Sequence, residues 1–381
     1  MINTKTIYLS LGSNLGDKFN NLQDALFLLH KEAGDIISIS NVYQTPAWGF
    51  DGDDFLNACI CLETNLSPSC LLDRIFKVET ELGRDRSNNG GYQSRTVDID
   101  ILYYEHQIIS TENLTVPHPK LQERRFVLKP LAEIAPQFYH PIINKDTRNL
   151  LQECRDRSKV EQIPQLLCKD RETLLSQINL IAFEGNIGAG KTSLCKRIGQ
   201  DYNAKLVLER FDDNPFLPKF YEDQNRYAFP LEMAFLADRY QQYTDDTSQY
   251  DLFKDFMVAD YDIYKSLIFA KTTLQQEEYN LYRKMFHLMY KEVKSPDVYV
   301  YLYQNTERLL ENIKKRGREF EKNITGDYLE KINRSYFDFI KGSPERNNLV
   351  IDISEIDFVN QEKDYELIMN KLQKYIISLS F

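Results

Sequence analysis

Residues 179–192 read NLIAFEGNIGAGKT, and the reading of this stretch decides the architecture of the C-terminal half. The apolar run Asn179–Phe183 leads into Gly185, Asn186, Ile187, Gly188, Ala189, Gly190, Lys191 and Thr192, the spacing G-x-x-x-x-G-K-T. A helical run follows over Thr192–Asp201. Strand, glycine-rich turn and helix start, in that order, form a cradle for phosphate. The glycines let backbone N–H groups converge on phosphate oxygens at a helix N-terminus, Lys191 adds charge, and Thr192 offers a hydroxyl to Mg²⁺. An ATP or GTP site is expected here.

Working outward, the short apolar runs Leu206–Leu208, Phe256–Ala259, Val298–Leu302 and Leu349–Ile353 alternate with long helical stretches. That rhythm predicts an α/β domain with a parallel sheet covered on both faces. Upstream the pattern differs. Ile36–Tyr43, Phe55–Thr64 and Val97–Tyr103 alternate as antiparallel strands with one wet face, separated by helical patterns at Asp17–Lys31 and Pro68–Leu82. This is an α+β layer. Between the two, Leu151–Gln177 loses strand character and gains charge. The expected division is 1–155, a linker over 156–177, and 178–381.

Composition bounds the function. The 381 residues are 42% hydrophobic and 27% charged, a globular balance, and the length suits two domains. The formal net charge of −10 divides evenly, −5 on each side of residue 170, so neither half is a basic nucleic-acid-binding domain. Six cysteines form no Cys-x-x-Cys and read as reduced thiols rather than a zinc site. No stretch approaches the ~18 apolar residues of a membrane span. A cytoplasmic protein acting on small molecules, with neither nucleic acid nor membrane as partner, is expected.

In the C-terminal half, Glu209 ends a strand at the sheet edge where doubly wound folds place ligands, and could accept a proton from an attacking hydroxyl. Arg316 and Arg318 suit charge migrating to a transferring phosphoryl group, although on position alone they also read as a solvated helix end. EGNIGAGKTSL, ERFDDNPFLPKFYED, FPLEMAFLADRYQQ, ADYDIY and KRGREFE, in that order, resemble the deoxynucleoside kinases, in particular the bacterial deoxyguanosine/deoxyadenosine branch. The resemblance implies that Glu209 deprotonates the 5′-hydroxyl, that Tyr221 and Glu321 hold the sugar 3′-hydroxyl, and that Arg316 and Arg318 are lid arginines. It places Asp260 near the metal and implies a homodimer. Many members carry an Arg directly after that aspartate; here it is Tyr261, which removes an expected support of the base. Where pyrimidine and broad-specificity kinases place a Gln facing the base, this chain has Glu232. A carboxylate offers only acceptors, matching the adjacent N1–H and 2-amino donors of guanine. Deoxyguanosine is therefore favoured over deoxyadenosine or broad specificity. Arg239, seven residues on in the same substrate-facing set, is an alternative partner for Glu232. A nucleotide-sensing module and a nucleoside monophosphate kinase are the competing readings.

In the N-terminal half, Asp98 and Asp100 lie two apart on a strand, so both carboxylates share one face and suit Mg²⁺. On spacing alone they also fit a wet strand face; Arg84, Arg86, Arg95, Arg124 and Arg125 around them shift the balance toward phosphate chemistry. LSLGSNLGD, YQTPAWG, FLNACICLET, ELGRDR, SRTVDIDILYY and TVPHPKLQERRFVLKPL resemble the 6-hydroxymethyl-7,8-dihydropterin pyrophosphokinases. The resemblance implies a ferredoxin-like sandwich and transfer of the β,γ-diphosphoryl unit of ATP to the pterin hydroxymethyl oxygen. It makes Asp98 and Asp100 ligands of two Mg²⁺ ions. Arg84, Arg95 and Arg124 meet the ATP phosphates, and His118 and Glu79 lie on the ATP side. Thr45, Pro46, Phe55, Asn57 and Phe126 form the pterin site, and Trp48 lies in a lid loop.

Overall fold

The computed structural model describes residues 4–48, 52–84, 94–210, 214–248, 253–291 and 293–379. Two compact units divide the chain near Leu174 and Leu175.

The first unit runs β1 (Lys5–Ser13), α1 (Lys18–Glu32), β2 (Asp35–Ile39), β3 (Tyr43–Thr45), β4 (Phe55–Thr64), α2 (Pro68–Glu81), β5 (Asp98–Tyr104), β6 (Ile109–Ser110), β7 (Thr115–Val116), α3 (Arg125–Ile134), α4 (Thr147–Glu153) and β8 (Glu161–Gln162). Its antiparallel main sheet has the order β5-β1-β4-β3-β8, and β2 also pairs with β4. Asp17 caps α1 through the Asn20 N–H, and Leu22, Ala25, Leu26 and Leu29 give that helix one buried stripe. Ser67 caps α2, with Pro68 opening it. At the end of α1, Gly34 has φ +151°, and a Cβ there would strike the Glu63 carbonyl, so the chain can turn into β2 only with glycine.

Two expectations change here. The predicted strand over 36–43 breaks into β2 and β3: register slips between Ile36 and Ser38, and the Ser40 hydroxyl takes the Cys59 N–H. The predicted wet face is also absent from β4, where Leu56–Leu62 are all buried. Leu22, Leu26, Leu71 and Ile75 of α1 and α2 fill one core with the sheet. Val127, Leu128 and Leu131 of α3 pack with Cys59, Leu102 and Tyr103 in another. The stretch read as a linker adds β8 to β3. Gln23 then both donates to the Cys168 carbonyl (2.6 Å) and accepts its N–H (2.9 Å).

After the short α5 (Arg171–Leu175), the second unit runs β9 (Leu180–Gly185), α6 (Lys191–Asp201), β10 (Lys205–Val207), α7 (Leu217–Glu222), α8 (Gln224–Ser248), β11 (Met257–Ala259), α9 (Lys265–Thr273), α10 (Gln276–Met289), β12 (Val298–Tyr303), α11 (Thr306–Arg316), α12 (Gly326–Gly342), β13 (Asn348–Asp352) and α13 (Glu362–Ser378). All five strands are parallel, in the order β10-β11-β9-β12-β13. Leu180 and Ala182 of β9 pack with Leu236, Tyr282 and Phe286, while the alternating Ile181 and Phe183, equally buried, face the other way. With both faces covered, the strands read as continuous apolar runs, as predicted. The strand order switches from one side of β9 to the other, so its carboxyl end and those of β10 and β11 open on one crevice.

Candidate functional sites

At the carboxyl end of β9, Gly188 (φ +88°) and Gly190 (φ +80°) take left-handed conformations, and Gly190 caps α6. Cβ atoms there would press on Ile313 and Phe358, so this turn requires glycine twice. Lys191 folds back, its Nζ donating to the Gly185 (2.9 Å) and Asn186 (3.1 Å) carbonyls. Burial, then the nearby Lys265 ammonium, lower its pKa to about 8. The Thr192 hydroxyl donates to Asp260, whose other oxygen accepts the Glu209 N–H at 2.8 Å.

Glu209 is clamped. Arg239 Nε donates to Oε1 at 2.8 Å and Lys265 Nζ to Oε2 at 2.5 Å. Burial alone would raise this carboxyl; the two cations overcome it and hold the pKa at about 2. The surrounding cavity extends from Lys191 and Thr192 past Glu209 to a pocket walled by Phe220, Tyr221, Phe235 and Glu232. Glu232 is buried, with Oε1 accepting from the Thr273 hydroxyl (2.9 Å) and Oε2 lacking a hydrogen-bond partner. Burial, opposed by Arg239, pushes its pKa up to about 7. Across the pocket Arg316 grips Glu321 with Nε (3.1 Å) and Nη2 (2.6 Å), Arg318 lies 3.6 Å from the same carboxylate, and the Tyr221 ring stacks on Phe320.

In the first unit, β5 presents Asp98 and Asp100 on one face, as the two-residue spacing predicts. Asp98 pairs with Arg84 (2.7 Å) and Arg95 (2.5 Å); Asp100 faces Arg124 at 3.5 Å and His118 at 3.8 Å. Burial and then the Asp98 charge raise Asp100 to about 6. Burial and then Arg124 lower His118 to about 4, leaving it neutral at pH 7. A pocket joins these carboxylates to Thr45, Pro46, Phe55, Asn57 and Phe126, with Trp48 at 6.4 Å from the Phe126 ring and Arg124 over both rings. Asn57 Nδ2 donates to the Thr45 hydroxyl at 2.8 Å.

The 7,8-dihydro-6-hydroxymethylpterin-pyrophosphokinase family model matches residues 8–136, and the deoxynucleoside kinase family model matches 181–377. A Porphyromonas gingivalis 2-amino-4-hydroxy-6-hydroxymethyldihydropteridine pyrophosphokinase is 41% identical over 138 residues, 35% of this chain and 93% of that protein. A Bacillus subtilis deoxyguanosine kinase is 39% identical over 202 residues, 52% of this chain and 97% of that protein. The chain belongs to both families. It is a pterin pyrophosphokinase fused to a deoxynucleoside kinase. A solved structure of deoxyadenosine kinase from M. mycoides with bound dCTP is 27% identical, covering 51% of this chain and 99% of that one with a TM-score of 0.45.

Within the kinase unit, Lys191, Thr192, Glu209, Tyr221, Glu232, Arg239, Asp260, Arg316, Arg318 and Glu321 all line one cavity. Arg239 serves Glu209 and the Ser266 hydroxyl, and Thr273 takes up the Glu232 oxygen for which Arg239 was the alternative partner. Lys265 was missed: its partner Glu209 is 56 positions away, and no local pattern marks it. Within the pyrophosphokinase unit, Glu79 is tied to β5 and to Arg84. Its carboxylate is fully buried, accepting the Ile99 N–H (2.9 Å) and an Arg84 N–H, so it braces β5 between the two aspartates. Arg86 lies outside the described residues. Ser10 and Gly12 of β1 also line this unit's pocket, and a Cβ at Gly12 would crowd Asn57 and Phe55. Ser10 and Gly12 both fall within LSLGSN, which was the available signal. Among the described residues no group of three or more His, Cys, Asp or Glu could hold a metal ion by itself, and no helix is long and apolar enough to cross a membrane.

Proposed function

We propose that the first unit transfers the pyrophosphoryl group of ATP to 6-hydroxymethyl-7,8-dihydropterin, and that the second uses ATP to phosphorylate the 5′-hydroxyl of a purine deoxynucleoside, deoxyguanosine being preferred. For the kinase unit the carrying observation is the single cavity that links the P-loop Lys191 to Glu232 through Glu209. An acceptor base lodged against Glu232 brings its sugar toward Tyr221 and Glu321, and its 5′-hydroxyl toward Glu209. The preference for guanine rests on the unpartnered Glu232 Oε2, an acceptor suited to adjacent N–H donors. The name of the Bacillus subtilis relative agrees with it.

Glu209, held near pKa 2, is a weak base. Phosphoryl transfer through a loose transition state asks for an oriented acceptor more than a strong base, and the proton leaves late. Thr192 and Asp260 would hold Mg²⁺, which supplies neutralisation of phosphate charge. Arg316 and Arg318 then turn toward the moving phosphoryl group.

In the pyrophosphokinase unit no side chain is placed as an obvious base, so catalysis is positioning and charge neutralisation. Asp98 and Asp100, two apart on β5, make a pair of hard oxygen donors suited to divalent cations. Phe55 and Phe126 sandwich the pterin, Asn57 reads its amide-like edge, and neutral His118 bonds the nucleotide. The strand order β5-β1-β4 with β2 and β3 beyond, over α1 and α2, supports a ferredoxin-like sandwich. A homodimer through the kinase unit completes this reading, and light scattering reads it.

The test is the full chain with Mg²⁺-ATP. Four deoxynucleosides are assayed for ADP release and hydroxymethyldihydropterin for AMP release. ADP release fastest with deoxyguanosine, and AMP release only with the pterin, are expected. Binding of nucleosides without ADP release would instead mark the second unit as a sensor.

A further inference from the structure

Lys265 stands out because the sequence lacks a cation where one is expected. Tyr261, directly after Asp260, is fully buried and packs edge-on against Tyr243 at 6.1 Å, inside the aromatic core. Position 261 therefore supplies neither a cation nor a hydrogen bond to Glu209. Four residues later, in the first turn of the nine-residue helix α9, the Lys265 side chain is only 9% exposed, and its Nζ lies 2.5 Å from Glu209 Oε2.

The turn carrying Lys265 is tied to the phosphate cradle. The Lys265 N–H donates to the Asp262 carbonyl (3.1 Å), and the Asp262 N–H donates to Glu184 Oε1 (2.8 Å). Glu184 is the buried residue just before Gly185, and Tyr336 donates its hydroxyl to the other Glu184 oxygen at 2.8 Å. The Tyr264 N–H closes on Asp262 Oδ1 at 3.0 Å. The ammonium is thus anchored through Asp262 and Glu184 to the P-loop strand, whereas Arg239 is carried by α8.

We propose that Lys265 is the positioning residue of this kinase, fixing the second oxygen of Glu209 and so aiming the first along the acceptor hydroxyl. The inference rests on Glu209 being the base of the reading above. In the step it serves, the acceptor oxygen bonds to the terminal phosphorus of ATP. The bond from that phosphorus to the bridging oxygen breaks, with its electron pair leaving on ADP, and the hydroxyl proton passes to Glu209. Lys265 takes no proton in this step and touches none of the reacting atoms. Arg239 alone holds one oxygen and leaves the carboxylate free to swing about that contact. Two cations from two helices remove the swing.

The test uses the full chain with ATP and the nucleoside that turns over fastest. Lys265→Met keeps the length and loses the charge; Lys265→Arg keeps the charge. We expect Lys265→Met to lower kcat roughly 10²-fold, the lower end of what a positioned general base contributes. The nucleoside KM should stay within about threefold, a change well under 1 kcal/mol, and Lys265→Arg should recover most of kcat. AMP release by the pyrophosphokinase unit and the melting curve report folding. Should Lys265→Met not fold, Lys265→Ala with added ethylammonium takes its place, and kcat rising with the amine is expected. A charge-free variant with kcat near wild type overturns the proposal. So does an equal loss in the Met and Arg variants, or an Ala variant indifferent to the amine. Wild-type protein releasing no ADP with any nucleoside would overturn the underlying reading instead.

Discussion

Replacing Glu232 by Gln should reverse the base preference of the kinase unit. The residue is 2% exposed, one oxygen is used by Thr273, and the other has no partner. When ionised, that free oxygen can accept from guanine N1–H and the adjacent 2-amino group. A hydrogen bond to a charged group contributes roughly 1.5–3 kcal/mol, and leaving a buried donor unmet costs a similar amount. Thr273 holds the residue in place, and a Gln that turns its N–H into the pocket sets donor against donor at guanine. At 1.36 kcal/mol per tenfold, kcat/KM for deoxyguanosine should fall about 10- to 150-fold. The same amide offers a donor and an acceptor to the N1 and 6-amino edge of adenine, so deoxyadenosine should hold or gain. The assay is ADP release with each nucleoside by wild type and Glu232→Gln at pH 8, where the wild-type carboxyl is mostly ionised. A deoxyguanosine-to-deoxyadenosine ratio unchanged to within about threefold, less than 1 kcal/mol, would refute the argument.

Further consequences concern both units. The wild-type ratio should rise between pH 6 and 8: burial sets the Glu232 carboxyl to about 7, and below that its proton becomes a donor facing guanine's donors. Of the groups around it, burial raises Tyr282 and Tyr328, and the Glu209 charge raises Arg239 against its burial, so none of these three loses its proton over this range and a flat ratio would place Glu232 away from the base. Asp98→Asn together with Asp100→Asn should cut AMP release by about 10²-fold or more and leave ADP release by the kinase unchanged; steady-state rates in one preparation decide it. Gln23→Ala leaves the buried Cys168 N–H and carbonyl without these partners, a loss of roughly 2–4 kcal/mol, read as a lower melting temperature and faster proteolysis over residues 156–174. Arg239→Ala strips a buried ion pair and should cost about 3–5 kcal/mol, whereas Arg318→Ala, at a partly exposed pair, should stay within about 1 kcal/mol in denaturant unfolding.

Legibility followed the range of the interaction. The P-loop was readable because its demands are local: two left-handed glycines, a lysine and a hydroxyl at fixed spacing. Asp98 and Asp100 were readable because a strand has period two. The pocket beside Asp98 and Asp100 was only partly readable, since β1–β4 register sets Gly12 opposite Asn57 while Thr45 and Phe126 arrive on β3 and α3. Thr273 on Glu232 and Lys265 on Glu209 left no trace, each contact spanning more than forty positions between separate elements. The stretch 156–177 read as a linker because β8 is two exposed polar residues whose pairing uses main chain alone. The wet face expected of β4 failed because α3, far along the chain, covers it.

Burial sorts the cations of the two sites into two kinds. Arg316 and Arg318 pair with Glu321 while 36% and 29% exposed, and Arg84 and Arg95 hold Asp98 while 17% and 23% exposed. Pairs in contact with water are weakly bound, so a phosphate that offers more negative charge and more oxygens can take the guanidinium from its carboxylate at little cost. Arg239 and Lys265 are 4% and 9% exposed, and separating either from Glu209 would strand a charge in a low-dielectric interior. The exposed set is therefore free to change partner during a turnover, and the buried set is not. A base that must hold one orientation while the charges around it migrate needs cations of the second kind. In the pyrophosphokinase unit, where no such base is placed among the described residues, Arg84, Arg95 and Arg124 around Asp98 and Asp100 are 17%, 23% and 10% exposed, of the first kind or between the two.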